Sequence, residues 1–166
     1  MDETREYFFN TKKMEYVSGN KPKVDCILCA VREHAKEVES LELYRNDAAI
    51  VTVNLYPFSP GHLMVYPTRH VEDITELSQD EFVAIHTLMQ KTLSILNNEF
   101  HPTGYNIGWN VGRGSGASIS HIHMHIVPRF DNEIGFLDVI AGKRVFVVDP
   151  AEVMERLRSR FDELEK

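Results

Sequence analysis

The chain has 166 residues, of which 43% are hydrophobic and 26% are charged, and its formal net charge is −7 with neutral histidines. This length and composition are typical of one compact globular domain and exclude a disordered or fibrous chain. So acidic a chain lacks the basic surface that binding to a DNA or RNA polymer requires, although a few oriented donors can still hold a small anion.

The first 23 residues are polar and charged, and we expect them to form an N-terminal arm before a single domain over residues 24–166. No apolar run reaches the ~20 residues that a membrane-spanning helix needs. The N-terminus also has no apolar segment of the signal-peptide type. These features predict a cytoplasmic protein without a membrane partner.

Two cysteines, Cys26 and Cys29, follow the arm with a C-x2-C spacing. In a reducing compartment this spacing favours a metal or redox motif over a structural disulfide. The pair supplies only two ligands of a tetrahedral site, so two ordinary buried thiols are an equally good interpretation of this motif taken alone.

The segments up to the middle of the chain predict short elements separated by turns. We expect a helix over 30–39, strands over 43–45, 48–53 and 62–66, a loop over 54–61 and one helical turn over 73–77.

The clearest helix begins at Ser78, which forms a capping-box pattern with Glu81 and precedes apolar residues at helical spacing to about Asn97. Two further strands are expected over 105–111 and 120–128.

A C-terminal helix is predicted over about 149–164, because Asp149 suits an N-cap and Pro150 suits the first helical position. Hairpin strands combined with one long helix predict an α+β fold with a mostly antiparallel sheet.

Residues 121–127 read HIHMHIV, so histidines alternate with apolar residues. Successive side chains of a strand point to opposite faces, which would place His121, His123 and His125 in a row on one face. The apolar residues between them would then pack against the long helix. Three of the eight histidines on one strand face is more than chance placement predicts.

Two functional interpretations of this row remain. Three imidazoles could hold a metal ion, but neighbours on one strand face lie about 6.6–7 Å apart at the backbone, so three in line rarely converge on one ion. Alternatively, one neutral imidazole could attack phosphorus while a second donates a proton. The preceding segment, GRGSGAS at 112–118, suits a phosphate-binding turn as well as a plain hairpin turn.

Two segments resemble the signature sequences of the histidine triad family: NLYPFSPGHLMVYPTRH at 54–70 and NVGRGSGASISHIHMHIVPR at 110–129. The resemblance covers about residues 24–130. It implies a HIT-like α+β fold with a roughly five-stranded antiparallel sheet, one long helix and a C-terminal helix. It also implies a homodimer joined through the long helix and the sheet edge.

The resemblance assigns the catalytic roles to three histidines. His123 corresponds to the nucleophile that forms a nucleotidyl-histidine intermediate at the α-phosphorus. His125 corresponds to the residue that contacts the phosphate oxygens and assists the leaving group, and His62 to the residue that supports His125.

A nucleotide-binding set is implied in the same way, for ribose, base and phosphate. It comprises Asn54 at the ribose, Ile27 and Leu55 at the base, Asn110 near the scissile phosphate, and Gly116, Ala117 and Ser118 in the phosphate turn, together with His123 and His125.

One position departs from two branches of the family. The phosphoramidases and the dinucleoside triphosphate hydrolases carry Gln where this chain has Ala117. Both Ala117 and the segment at 128–145 are more similar to bacterial diadenosine tetraphosphate phosphorylase-like members. The resemblance therefore implies hydrolysis or phosphorolysis of dinucleoside polyphosphates at the α-phosphate, with adenine nucleotides as the expected substrates. A phosphoramidase-type hydrolase and a non-catalytic nucleotide-binding sensor are the alternatives.

Zinc-carrying members of the family supply two further ligands, which correspond here to His70 and His121. The resemblance thus implies a structural zinc site formed by Cys26, Cys29, His70 and His121. A closed four-ligand site leaves no open coordination position for catalysis. His121 would then bind the structural ion, and His123 and His125 would carry out catalysis.

Overall fold

The computed structural model of the protein describes residues 22–131 and 149–165. The N-terminal arm expected over residues 1–23 lies outside the described residues, apart from its last two positions. Most of the segment at 128–145 that resembles the phosphorylase-like members also lies outside them.

The described residues form five strands and three α-helices. In chain order these are α1 (Ile27–Arg32), β1 (Glu42–Arg45), β2 (Ala49–Val53), β3 (Leu63–Pro67), α2 (Gln79–Phe100), β4 (Gly104–Trp109), β5 (Met124–Arg129) and α3 (Pro150–Asp162). No helix within these ranges is both long and apolar enough to cross a bilayer.

The five strands form one antiparallel sheet in the order β1-β2-β3-β5-β4. This confirms the predicted α+β fold. Strand β5 lies inside the sheet, where His125 is level with Met64 of β3 and Gly108 of β4. Ladder hydrogen bonds on both sides therefore fix the backbone of β5 and the direction of the side chains it carries.

The two faces of the sheet have different coverings. On one face, residues such as Val65, Met124 and Ile126 pack against α2 and α3 in the main hydrophobic core. On the other face, Met64 and Tyr66 pack with Leu28 of α1 in a smaller cluster. The short helix α1 covers only part of this second face, which leaves room for a cleft.

Helix α2 begins as the sequence predicts. The Ser78 hydroxyl accepts a hydrogen bond from the Glu81 N–H, and the Glu81 carboxylate accepts one from the Ser78 N–H. The helix ends at Phe100, three residues beyond the expected end. Glu99, in this extra turn, accepts a hydrogen bond from Arg160 of α3 (2.7 Å), and Phe100 packs against the core.

Helix α3 is capped as predicted, because Asp149 Oδ1 accepts from the Ala151 N–H (2.8 Å) and Pro150 occupies the first helical position. The strands β1 to β3 lie within about one residue of their predicted bounds.

The strand predicted over 105–111 is β4, which ends two residues earlier, at Trp109. Two other elements differ more from their predicted bounds. The first helix runs over Ile27–Arg32 rather than over 30–39. The Cys26 Sγ caps it by accepting the Cys29 N–H, and it ends before His34, whose φ of +54° is left-handed. Most residues over 33–39 are exposed, so helix-forming composition there is not supported by a buried face.

The second error concerns the last strand, which begins at Met124 rather than near residue 120. Just before it, the Ile122 N–H donates to the Val71 carbonyl (2.7 Å) and not to a sheet ladder. His121 and His123 therefore precede the strand, and only His125 belongs to it. The predicted facing still holds, because the rings of His123 and His125 are neighbours, His121 contacts Tyr66 on the face that carries α1, and Met124 packs in the opposite core.

Candidate active site and metal centre

A cleft opens on the sheet face that carries α1. It encloses about 870 Å³ when its open mouth is included. Helix α1, the loop after β2 and the turn after β4 form its walls. The predicted site residues among its lining are Ile27, Asn54, Leu55, Asn110, Gly116, Ser118, His123 and His125.

Two predicted residues do not line the cleft directly. Ala117 lies between the lining residues Gly116 and Ser118 and is half-buried. His62 is fully buried, with its ring beside that of His125 at 5.1 Å between centroids. His62 can therefore act on a ligand only through His125.

Hydrogen bonds define the tautomers of His62 and His125. The backbone N–H of Phe58 donates to His62 Nδ1 (3.1 Å), and His62 Nε2 lies 3.0 Å from His125 Nδ1. Because a backbone N–H can only donate, a neutral His62 carries its proton on Nε2 and donates it to His125 Nδ1. The remaining proton of a neutral His125 is thereby assigned to Nε2.

His123 has the opposite arrangement. Its Nδ1 lies 2.8 Å from the His121 carbonyl oxygen, which can only accept, so the proton is on Nδ1 and Nε2 keeps its lone pair. The residue is 4% exposed, and burial lowers the pKa of its imidazole, which keeps the ring neutral. Its ring centroid is 4.8 Å from that of His125. The site thus places a nucleophilic nitrogen beside a proton donor.

Two asparagines border these rings. Asn110 Nδ2 lies 3.4 Å from His125 Nε2. Since Nε2 carries the proton in the assigned tautomer, the Asn110 amide would present its oxygen to it, which is the same side chain turned by half a rotation. Asn54 Oδ1 accepts from the Tyr56 N–H (2.8 Å), which holds that amide at the cleft wall.

The turn after β4 depends on glycine at two positions. Gly112 has a φ of +76° and Gly116 a φ of +83°, which is the left-handed region where a side chain is strained. Between them, residues Arg113–Ser115 form a 3-10 turn. The Ser115 hydroxyl donates to the Gly112 carbonyl (2.7 Å) and closes that turn.

Sequence reasoning missed several residues that line the cleft, of which Phe58 is the clearest. Its ring stacks on His62 at 5.1 Å between centroids, and its N–H sets the tautomer of that ring. The signal was its position four residues before His62 in the loop. Glu39 and Leu41 were also missed, because they lie in a segment that was predicted partly as helix.

A second cluster lies beside the cleft and contains Cys26, Cys29, His70 and His121. Their ligand atoms lie within 4.8 Å of one another, so the four residues could bind a metal ion. His121 Nδ1 is 3.6 Å from each sulfur, and His70 Nδ1 is 3.3 Å from Cys29 Sγ. Tetrahedral zinc, with bonds of about 2.3 Å to sulfur and about 2.0 Å to nitrogen, would separate sulfur from nitrogen by about 3.5 Å. The donor set therefore fits zinc in type, number and spacing.

Outer hydrogen bonds orient the two imidazoles for this role. His121 Nε2–H donates to the Pro67 carbonyl (3.1 Å), which leaves Nδ1 as the free lone pair. Glu72 Oε1 lies 3.4 Å from His70 Nε2. Burial, and then the charge of His70, lowers the pKa of His121 to about 4, so its ring is neutral at physiological pH. Burial and the neighbouring Cys26 raise the pKa of Cys29 to about 11, so a metal ion must displace that thiol proton.

The two centres share His121. Its ring faces the cysteines, and its carbonyl oxygen accepts the Nδ1–H of His123. The cluster and the nucleophilic imidazole are therefore joined by one residue.

Comparison with known proteins agrees with this architecture. The family described as HIT domain matches residues 35–132. The chain is 36% identical over 108 residues to the AP-4-A phosphorylase of Mycobacterium tuberculosis, covering 64% of this chain and 55% of that protein. It is 34% identical over 92 residues to the asymmetrical bis(5'-nucleosyl)-tetraphosphatase of Schizosaccharomyces pombe, covering 55% of this chain and 50% of that protein.

The chain thus spans about half the length of each of these two relatives. Among solved structures, a zinc-bound histidine triad family protein from Mycobacterium smegmatis superimposes with a TM-score of 0.69 at 24% identity, covering 85% of this chain and 96% of that one. This likeness shows the fold, and the family match extends over more than half of the sequence. The chain belongs to the histidine triad (HIT) family.

Proposed function

We propose that this protein cleaves dinucleoside polyphosphates at the α-phosphorus through a nucleotide covalently attached to His123. The proposal rests on the hydrogen bonds of two adjacent rings. These bonds assign a lone pair to His123 Nε2 and a proton to His125 Nε2. The names of the two relatives, a phosphorylase and a tetraphosphatase, support the substrate class.

In the first step, His123 Nε2 attacks the α-phosphorus and forms a P–N bond while the bond to the bridging oxygen breaks. The departing phosphate oxygen leaves as an anion and accepts a hydrogen bond from His125 Nε2–H, which stabilises its developing charge. The positive charge that develops on the His123 ring is stabilised by its Nδ1–H bond to the His121 carbonyl. Backbone N–H groups of the turn that contains Gly116 are available for the charge on the phosphoryl oxygens.

In the second step, inorganic phosphate or water attacks the phosphorus, and a water nucleophile releases its proton to the solvent. The P–N bond breaks and the lone pair returns to His123 Nε2, so the neutral ring is restored. His62 keeps His125 in one tautomer throughout, because its own Nδ1 is held by the Phe58 N–H.

We further propose that Cys26, Cys29, His70 and His121 hold one zinc ion. A closed set of four protein ligands would supply a structural cross-link and no Lewis-acid contact with substrate. The fit of the donor spacings and the zinc-bound relative of the same fold support this assignment.

A homodimer is supported by an apolar patch across α2 and the edge strand β4. Phe82 and Val83 on α2 and Ile107 on β4 are 42%, 54% and 42% exposed, and the His86 ring bridges the two elements between Phe82 and Trp109. Such patches and edge strands are typical of interfaces. We expect Ile107→Lys to shift the protein from dimer to monomer in light-scattering chromatography, while Ile107→Val leaves the mass unchanged. A monomeric parent protein would contradict this assembly.

The test of the chemistry is to trap the covalent intermediate. The protein is mixed with diadenosine tetraphosphate, quenched within milliseconds to seconds, and analysed by mass spectrometry. We expect an acid-labile AMP adduct on His123, and loss of both the adduct and turnover in His123→Ala. His34→Asn is a matched control, since His34 lies outside the cleft lining and Asn tolerates its left-handed backbone.

Turnover by His123→Ala at the parental rate would contradict the mechanism. Binding of nucleotide without adduct or turnover in the parent protein would favour the sensor alternative. Product analysis with and without inorganic phosphate identifies the acceptor, because ADP plus ATP would form only with phosphate in a phosphorylase.

A further inference from the structure

The polar side chains that line the cleft differ in which part of a bound nucleotide each one could contact. His123, His125, Asn110 and Ser118 lie around the proposed phosphate position, and Asn54 corresponds to the ribose position. Thr52, on the cleft floor, has its hydroxyl hydrogen bonded to the Val53 carbonyl (3.3 Å). Tyr56 also lines the cleft and already has an interaction of its own. The polar lining residue that remains is Glu39.

Glu39 is the one carboxylate among the described residues that line the cleft. It is exposed, and no described donor binds it. A carboxylate repels polyphosphate, so a cleft that uses one must do so at the end away from the phosphates. The apolar residues Ile27, Val31 and Leu41 line the same cleft, and the family resemblance places Ile27 against the base.

The strand pairing supports this location independently. Glu42 pairs with Thr52, and the Leu41 carbonyl accepts from the Val53 N–H (2.9 Å). If this antiparallel register is continued beyond the ends of β1 and β2, Glu39 lies opposite Leu55. Both residues line the cleft. Leu55 is one of the residues that the family resemblance places against the base, so Glu39 lies at the edge of a base held there.

We propose that Glu39 reads the Watson–Crick edge of the bound base and makes the cleft selective for guanine over adenine nucleotides. Guanine presents two adjacent donors on that edge, N1–H and N2–H, which one carboxylate can accept together. Adenine presents a single donor next to the N1 lone pair, which a carboxylate repels. The inference depends on the proposed function for the direction of the nucleotide in the cleft.

The experiment compares the dissociation constants of GMP and AMP for the intact protein by calorimetry. Because a two-bond fork discriminates between bases, we expect the parent protein to bind GMP about 10-fold more tightly than AMP. In Glu39→Gln, the side chain presents one acceptor and one donor, which match the adenine edge. This variant should lose the GMP preference and favour AMP, and Glu39→Ala should bind the two equally.

Glu37→Gln is the matched control, because it removes the same charge from the same exposed segment at a residue outside the cleft lining. It should keep the GMP preference of the parent. Each result is a ratio measured on one protein sample, so a partly unfolded variant does not distort it. Turnover of bis(guanosine) and bis(adenosine) tetraphosphates should follow the same ratios.

Equal affinity of the parent for GMP and AMP, or an unchanged ratio in Glu39→Gln, would overturn the role of Glu39 and leave the proposed function intact. Absence of binding of either nucleotide to the parent would overturn both.

Discussion

Single hydrogen bonds to the backbone determine the protonation pattern of the candidate active site. The Phe58 N–H fixes His62, and the His121 carbonyl fixes His123. A backbone amide cannot exchange its donor and acceptor roles, so each ring is held in one tautomer. In the proposed mechanism, backbone groups therefore decide which imidazole attacks and which one donates.

His62 offers a direct test of this positioning. In His62→Leu the ring of His125 loses its partner at Nδ1, so its proton can occupy either nitrogen. We expect kcat to fall about 10²-fold, the lower end of what a positioned acid contributes, while KM changes little. Stopped-flow or steady-state kinetics measures both constants.

His62→Leu also leaves the Phe58 N–H without its acceptor at a part-buried position, which costs about 1 kcal/mol of folding free energy. Thermal unfolding measured alongside separates this loss from the kinetic effect. A raised KM with unchanged kcat would show that His62 shapes the binding site rather than the acid.

At the scale of elements, the capping box of α2 also orients a candidate metal ligand. The Glu81 carboxylate accepts from the Ser78 N–H and from the Nε and a terminal NH₂ group of Arg69 (2.8–2.9 Å). Arg69 immediately precedes His70. The start of the long helix therefore anchors the segment that brings His70 to the cysteines.

Glu81→Gln tests this anchor. The Arg69 hydrogen bond lowers the pKa of Glu81 from 4.5 to about 2. A carboxyl with a depressed folded-state pKa contributes stability above its unfolded pKa, and that contribution is lost as the pH falls from about 4.5 to about 2. We expect the variant to lose about 1 kcal/mol at pH 7, as for removal of a helix cap, and to show a shallower loss of stability on acidification.

Urea unfolding at pH 7, 4 and 2.5 measures the effect. Glu76→Gln is the matched control, since Glu76 is exposed in the same segment and contributes only its carbonyl to Arg69. If Glu81→Gln and the parent lost stability equally on acidification, the carboxylate would not be the group whose ionisation matters.

For the whole molecule, the local signals in the sequence predicted the elements better than they predicted how the elements meet. Ser78 with Glu81 and Asp149 with Pro150 fixed two helix starts correctly, because capping is decided within four residues. The start of β5 was wrong because the Ile122 N–H bonds to Val71, a contact across about 50 positions that no local pattern contains.

The candidate site was likewise predicted only in part from the sequence. Sequence reasoning led to eight of the eighteen residues that line the cleft, and seven of these lie in the two short segments around His62 and His123. Glu39 and Phe58 were missed, since their roles depend on the pairing of β1 with β2 and on a ring stacked against His62. Such roles arise from the packing of segments and have no signature of their own.

Removal of the metal should affect the molecule as a whole, because the four ligands come from the start of α1, the segment after β3 and the segment before β5. A ligand that binds only the folded state stabilises it by ~3–4 kcal/mol at 100 to 1,000 times its dissociation constant. We expect a strong chelator to lower the melting temperature by about 6–16 °C for a chain of this size. Elemental analysis of the untreated protein should find one zinc per chain.

The Cys26→Ser/Cys29→Ser variant is the control for this experiment, because it lacks both thiolates and its melting temperature should not respond to the chelator. In the metal-free parent, His121 would lack its bond to the zinc ion, and the carbonyl that holds His123 Nδ1–H would become less constrained. The yield of the His123 adduct should therefore fall together with the melting temperature and recover when zinc is restored. A parent protein that contains no metal and melts at the same temperature with and without chelator would instead identify the four residues as a packed thiol–imidazole cluster.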